Sequence, residues 1–221
     1  MYSDTAPAPQ EKSLVLISGG VDSATALAIA RANTCEKVFT LSFNYGQKQK
    51  IELNYAEQLA SYYDVHHREL YLGHAMDGLK GPVHDNSVAQ LHRETLNMLP
   101  PTWKPGRNIV FLALASGFAW YYGCSVIVIG AHQEDYPGYP DCTLPFLANM
   151  EYAICTGTNN IIELWAPLLK MNKTEIVKTG MKLDVPYNIT YSCYEGAETH
   201  CGECDACKRR IRAFKEAGWK P

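Results

Sequence analysis

Short apolar runs alternate along this chain with longer segments of helical period. Leu14–Ile17 and Lys37–Asn44 are rich in β-branched and aromatic residues, the pattern of strands, and His67–Leu72 reads as a third strand. Between them, Ser23–Asn33 and "QKQKIELNYAEQLASYYD" (47–64) place apolar residues three and four apart, which suits helices packed by one face. Further on, "IVFLALASGFAWYY" (109–122) reads as a buried helix, Ser125–Ile129 as a strand, Phe146–Thr156 as a helix and Ile161–Trp165 as a strand. "NKTEIVKTGMKL" (172–183) opens with a capping box, Asn172 accepting from the first turn and Glu175 reaching back. Strands alternating with helices predict an α/β fold, a parallel sheet with helices on both faces. Such sheets carry ligands at the carboxyl ends of their strands. That puts Ser18–Ser23, Tyr45–Gln47 and Gly130–Cys142 on one rim.

The same pattern divides the chain. Residues 1–12, "MYSDTAPAPQEK", have no apolar stretch and an acid at Asp4, so they read as a disordered lead-in and not as a signal peptide. Residues 13–186 form the main domain. Gly73 to Pro105 is polar and punctuated by glycine and proline, an insertion in which "GLKGPVHDNSVAQL" (78–91) is a candidate lid. Residues 187–221 are a cysteine-bearing tail. From Asn108 to Ala131 no residue is charged, a length that can span a bilayer. The pattern nevertheless breaks at Gly123–Cys124 and turns β-branched, so a buried helix feeding a buried strand is expected, and no membrane span.

Composition narrows the function classes. Lys and Arg number 20 against 23 Asp and Glu, for a formal net charge of −3, with 47% hydrophobic residues. A polyanion-binding surface is not indicated, and a cytoplasmic protein with no direct nucleic-acid partner is expected.

Two stretches carry chemistry. In "LVLISGGVDSAT" (14–25) an apolar strand runs into two glycines and then a helix. Gly19 and Gly20 let backbone approach a ligand closely. The helix beginning near Ser23 aims free amides and the positive end of its dipole into the turn, and Ser18 and Ser23 add hydroxyl donors. Together they form an anion site, although the lysine of a Walker loop is missing. The second stretch is "SCYEGAETHCGECDACKRR" (192–210), in which Cys193, Cys201, Cys204 and Cys207 are spaced C-x7-C-x2-C-x2-C. Two-residue gaps turn neighbouring thiolates onto one ion, and four of them close a tetrahedron, which argues for one structural zinc per chain. In zinc-finger peptides such a site contributes about 10–16 kcal/mol of apparent binding energy to folding. An iron–sulfur cluster is the alternative use of a C-x2-C-x2-C run. His200 is a substitute ligand on composition, and a solvent-facing loop residue on position. The other cysteines, Cys35, Cys124, Cys142 and Cys155, are scattered.

"SGGVDS" directly after an apolar strand resembles the signature of the PP-loop ATP pyrophosphatases. "YGQ" (45–47) with Glu52, "PGRN" (105–108), "GYPDC" (138–142) and "SCY…CGECDAC" (192–207) recur in the same order in one branch, the 7-cyano-7-deazaguanine synthases, and the similarity covers nearly the full chain. The resemblance implies a Rossmann-like, adenine-nucleotide alpha-hydrolase-like domain with a zinc tail. It implies an ATP-dependent carbon–nitrogen ligase that takes 7-carboxy-7-deazaguanine and ammonia to the nitrile in queuosine-precursor synthesis. ATP, as its Mg²⁺ complex, would be held by Ile17, Ser18, Gly19, Gly20, Val21, Asp22, Ser23, Ala24, Thr25, Ala26 and Leu27, with Lys173 reaching a phosphate. Here the cradled anion is the departing pyrophosphate, which explains a loop without lysine. Ser18, Asp22, Ser23 and Arg107 would be catalytic, Asp22 orienting the loop or holding the metal. Arg107 pairs with phosphate or with the substrate carboxylate. Tyr45, Gln47, Asn108, Asp135, Tyr139 and Asp141 would meet the substrate, Tyr139 by stacking and a carboxylate by accepting from the guanine-like N–H groups. Asn108 is equally well placed to cap the helix, and Cys142 reads as a pocket wall. A homodimer through the apolar helices is expected. Gln49 and Thr143 depart from the branch, which often has histidine and arginine there. The rivals are an RNA-sulfurating or amide-forming relative and a zinc-stabilised nucleotide sensor without turnover.

Overall fold

The computed structural model describes residues 10–47, 50–79, 103–135, 138–195 and 198–220. Five strands form one parallel sheet: β1 (Gln10–Leu16), β2 (Thr34–Asn44), β3 (His66–Tyr71), β4 (Val126–Val128) and β5 (Glu163–Trp165), in the order β3-β2-β1-β4-β5. Register pairs such as Leu14 with Phe39, Leu14 with Ile127 and Ile127 with Leu164 run through the sheet's centre. The helices are α1 (Val21–Asn33), α2 (Ile51–Tyr62), α3 (Arg107–Tyr122), α4 (Leu144–Gly157), α5 (Lys173–Lys182) and α6 (Asp205–Ala217).

Strand alternation sorts the core into two layers. Val15, Val126 and Val128 pack against Leu27 of α1, Leu59 of α2, Ile176 of α5 and Phe214 of α6. Their neighbours Leu14, Leu41 and Ile127 face the other way, onto Leu112 and Ala115 of α3 and Leu147 of α4. Strand order reverses between β1 and β4, and the helices that follow these strands leave on opposite faces. The crevice opened between their loops is where a sheet of this kind takes its ligand.

Four features differ from the sequence expectation. β1 starts at Gln10, which pairs with Thr34, so the strand reaches into the segment read as lead-in. Hydrophobic pattern does not register polar residues whose partner is backbone. Helix α3 is not buried all round. Asn108, Leu112, Ala115 and Ala119 face inward, whereas Trp120 is 59% and Tyr121 77% exposed, with Ile109 also outside. An apolar helix at the outside of the sheet needs only one buried stripe. At 16 residues it is about 24 Å long, short of a bilayer core of about 30 Å. No helix among the described residues is long and apolar enough to cross a membrane.

The tail also differs. It ends in α6, and Ala213, Phe214 and the neighbouring Trp219 join the main core beside Tyr187, so packing does not stop at residue 187. Tyr187 is buried with its hydroxyl 2.7 Å from Thr25 Oγ1. The ring lies so tight on α5 that a Cβ at Gly180 would meet its hydroxyl at 1.8 Å. The fourth difference is extent. Of the insertion, the structure describes a 3₁₀ turn over Gly73–Leu79 with Met76 buried. The candidate lid beyond Leu79 lies outside the described residues, as does Gln49.

Candidate active site

The turn after β1 is held by its own hydroxyls. Ser23 Oγ accepts from the Ser18 N–H at 3.2 Å and donates to the Gly20 carbonyl at 3.1 Å, with Ser18 Oγ 3.3 Å away. Gly20 is the N-cap of α1 and no side chain caps it, so first-turn amides are left to a ligand. Gly19 has φ +83°, and a Cβ there would lie 2.2 Å from the Glu52 carbonyl oxygen. On its other side the Gly19 carbonyl accepts from the Tyr191 N–H at 2.8 Å. The turn is thus gripped between the start of α2 and a strand-like segment that leads into the cysteine tail.

Behind the turn sits a charge cluster built from three elements. The Asp22 carboxylate receives the Lys173 ammonium from the start of α5 on both oxygens. His132 Nε2 lies 3.6 Å from Asp22 Oδ2 and 3.5 Å from Asp135 Oδ2. Burial alone would raise the Asp22 carboxyl, but Lys173 and His132 outweigh it and hold the group well below the usual carboxylate range. Burial pushes Asp135 up, only partly offset by His132. Burial also works against charge on His132, yet the two aspartates win and its pKa is raised. The Glu134 N–H, 3.3 Å from Nδ1, fixes the Nε2–H tautomer while the ring is neutral. Glu134 in turn accepts the Lys173 backbone N–H at 2.9 Å.

A pH titration follows from this arrangement. With its pKa raised, His132 keeps its proton as pH passes 6.5, and the stabilisation from its ion pairs is full below that value and lost as pH climbs through the folded midpoint. NMR titration of the ring is expected to place the midpoint above 6.5, and Asp22→Asn to move it downward. An unchanged midpoint in the variant would remove Asp22 as the cause.

In front of the turn lies a cavity of about 660 Å³. Ile17, Ser18, Asp22 and Ser23 from the turn line it together with Tyr45, Gln47, Arg107, Asn108, Asp135 and Tyr139. Arg107 donates to Tyr45 Oη at 3.3 Å. Burial opposes its charge, and Tyr45 and Asp141 more than restore it. Glu52, which also lines the cavity, is pushed by burial up to about 8, with Arg107 pulling the other way. Gln47 spends its amide locally, accepting from the Tyr45 N–H at 3.0 Å and donating to the Phe43 carbonyl at 3.2 Å.

Other sequence-derived residues fall elsewhere. Gly106, not Asn108, is the N-cap of α3. Asn108 instead donates to the Asp141 carbonyl at 2.9 Å, and Asp141, 6% exposed, is turned into that wall and does not line the cavity. Val21, Ala24, Ala26 and Leu27 are core side chains, and Thr25 Oγ1 is bonded to Val21 O and to Tyr187. Cys142 lines the cavity with burial raising its thiol. Thr143 caps α4, its hydroxyl accepting from the Phe146 N–H at 3.4 Å. His132, Glu52 and Tyr194, which also line or support the site, were not singled out as site residues from sequence. A histidine two residues past Gly130, on the loop after β4, carries a rim signal; Glu52 enters the sequence reading only beside "YGQ" (45–47), with no role attached.

The four tail cysteines converge. Their Sγ atoms all lie within 4.8 Å of one another, and Cys201 and Cys207 Sγ are 3.8 Å apart. Zinc–sulfur bonds of about 2.3 Å in a tetrahedron give an edge of about 3.8 Å, so the set can hold a metal ion. Burial would raise the Cys193 thiol, but backbone N–H groups of Cys201 and Glu195 aimed at the sulfur bring it to about 6. His200 is outside the set. Its Nε2 accepts from the Ser192 N–H at 3.1 Å and its ring lies 4.8 Å from that of Tyr191.

Comparison with known proteins sets this geometry in a family. Residues 12–218 match the family model described as "Queuosine biosynthesis protein QueC". The 7-cyano-7-deazaguanine synthase of Oceanobacillus iheyensis is 37% identical over 211 residues, covering 94% of this chain and 95% of the relative. That of Thermoplasma acidophilum is 39% identical over 214 residues, covering 95% and 90%. Among solved structures, NMN synthetase from Francisella tularensis superposes with a TM-score of 0.55 at 15% identity, over 96% of this chain and 79% of that one. At that identity the likeness shows the fold alone, a parallel sheet with helices on both faces. The chain belongs to the QueC family of queuosine biosynthesis proteins.

Proposed function

We propose that this member of the QueC family converts 7-carboxy-7-deazaguanine and ammonia into 7-cyano-7-deazaguanine, using two ATP and releasing AMP and pyrophosphate twice. The carrying observation is the cavity itself: a gripped glycine turn with free helix amides on one wall, and a charged guanidinium among aromatic side chains on the other.

The chemistry requires a poor leaving group to be replaced. A carboxylate oxygen attacks the α phosphorus, pyrophosphate departs and an acyl adenylate forms. Ammonia adds at the carbonyl carbon and AMP leaves, giving the amide. The amide oxygen is adenylated in a second round, and loss of AMP with a proton leaves the nitrile. Ser18, Ser23 and the amides from Gly19 to Asp22 hold the departing diphosphate of MgATP. Lys173, drawn to the turn by Asp22, supplies the positive charge that a Walker loop carries within itself. Arg107 meets the substrate carboxylate, and the burial that raises Glu52 favours the uncharged form of that carboxyl beside an anion. Tyr139 stacks on the heterocycle and Asp135 accepts from its N–H groups. Asn108 and Asp141 act through the wall that they hold together.

The tail metal is a structural zinc, held by Cys193, Cys201, Cys204 and Cys207. Sulfur spacing of tetrahedron-edge length supports a single ion, whereas an iron–sulfur cube places iron and sulfide between more widely separated cysteines. Zinc there supplies folding energy and no open coordination position. The uncharged outer face of α3, with Ile109, Trp120 and Tyr121, supports a homodimer.

The assay incubates the protein with MgATP, ammonium and 7-carboxy-7-deazaguanine and follows nucleotides and the base by mass. Two AMP per nitrile is the expected result. Formation of ADP, or nucleotide binding with no AMP in the presence of this acid, would overturn the reading.

A further inference from the structure

The cysteine tail and the phosphate turn touch through a short, fully polar linkage that the folding role of a metal does not require. Arg210, about one and a half turns into α6, is partly buried, and burial brings its guanidinium down to about 10. It donates to Thr190 Oγ1 at 2.8 Å, to the Tyr187 carbonyl at 2.9 Å and to Ser192 Oγ at 3.5 Å. These three residues bracket Tyr191, whose N–H reaches the Gly19 carbonyl. Cys193 and Cys207 lie at the two ends of the same unit, Cys193 just beyond Ser192 and Cys207 one turn before Arg210 on α6. The Tyr191 ring packs on Tyr55 of α2 at 5.4 Å between centroids, and α2 is also the element that presses on Gly19 from the other side.

Further along α6, Arg212 lies 3.7 Å from Glu134, which holds the Lys173 backbone N–H. Glu216 accepts from Thr174 Oγ1 at 2.6 Å. One helix, started at a metal ligand, therefore fixes both the segment bonded to the turn and the first residues of the helix that delivers Lys173 to Asp22. A partly buried arginine held by two hydroxyls and a carbonyl is stiff, because its planar fork loses little further freedom when bonded.

We propose that Arg210 is a positioning residue for nucleotide, transmitting the geometry of the four-cysteine metal site to the Gly19 carbonyl and so presetting the turn for the triphosphate. Metal occupancy and nucleotide affinity are then coupled, and by reciprocity MgATP tightens the metal. The inference rests on the reading of the turn as the ATP site.

Arg210→Gln and Thr190→Val are prepared as full-length proteins, with zinc measured by elemental analysis, MgATP affinity by calorimetry and amide exchange followed across residues 18–21. Both variants are expected to keep one zinc per chain, to bind MgATP about tenfold more weakly, the size of one lost charge-assisted hydrogen bond, and to exchange the turn amides faster. Arg210→Lys restores part of the affinity. Chelating the wild-type zinc under reducing conditions weakens MgATP by a similar factor while the sheet keeps its circular dichroism. Wild-type affinity and exchange in zinc-loaded Thr190→Val and Arg210→Gln overturn the proposal. Loss of zinc in step with affinity in both variants overturns it too, since Arg210 would then serve the metal alone. Failure of the wild type to bind MgATP instead sinks the assignment of the turn, which separates the two failures.

Discussion

Asp22→Asn is expected to slow pyrophosphate release by about a hundred- to a thousandfold at saturating ATP, the effect of orphaning a positioned charge in a water-poor site. The carboxylate is the common partner of Lys173 and His132. An amide keeps the shape, but it offers Lys173 one neutral acceptor where there were two anionic ones, and its NH₂ group faces other donors. The ammonium loses the group that holds it over the first turn of α1, and His132 turns wholly to Asp135. Zinc content should be unchanged, because the metal set is made of Cys193, Cys201, Cys204 and Cys207 alone and Asp22 is not part of it. Rapid-quench measurement of pyrophosphate against zinc content checks both statements. A near wild-type rate in Asp22→Asn would reduce the cluster to loop architecture.

Gly19→Ala carries the second large effect, on binding and stability together. The residue sits at φ +83°, a region that costs an L residue about 1–2 kcal/mol. Its new Cβ would meet the Glu52 carbonyl oxygen at 2.2 Å and the Ala56 nitrogen at 2.9 Å. Both are backbone atoms, so no rotamer relieves the clash, and the first turns of α2 must shift or the turn must open. Overpacking of this kind adds about 1–3 kcal/mol, and a chain of this size then loses roughly 5–15 °C of melting temperature. Calorimetric MgATP binding should fall below detection. Gly20→Ala is the internal control. Gly20 has φ −84°, and its added Cβ finds its nearest atoms at 3.4 and 3.5 Å. Its melting temperature should move far less. Equal losses in the two variants would deny the grip on Gly19 any special part.

Fold class was legible because strand and helix periods differ so plainly in this chain. The all-apolar Val126–Val128 announces a strand covered on both faces, and the capping box at Asn172 and Glu175 is present as spaced. Strand order was not legible, since Leu14 and Val15 read alike whichever neighbours they take. Nor was the single-sided burial of α3: a residue such as Trp120 looks the same in sequence on a core face and an open one. Around the cavity, residue types told more than positions. Lys173 and Asp22 lie 151 residues apart, and nothing local to either marks the other. The convergence of four cysteines was readable from their spacing, two two-residue gaps and one of seven, whereas Arg210, one of several basic residues in "CKRRIR", is set apart from its neighbours only by which way α6 turns.

The bond from Tyr191 to Gly19 also has a meaning in time. During translation the sheet's central strand and its glycine turn leave the ribosome early, while the residue that completes the turn emerges near the end. A nascent or prematurely terminated chain lacking that last segment can assemble much of its hydrophobic interior and still present an unfinished nucleotide cradle. Long-range closure of this sort slows the last stage of maturation.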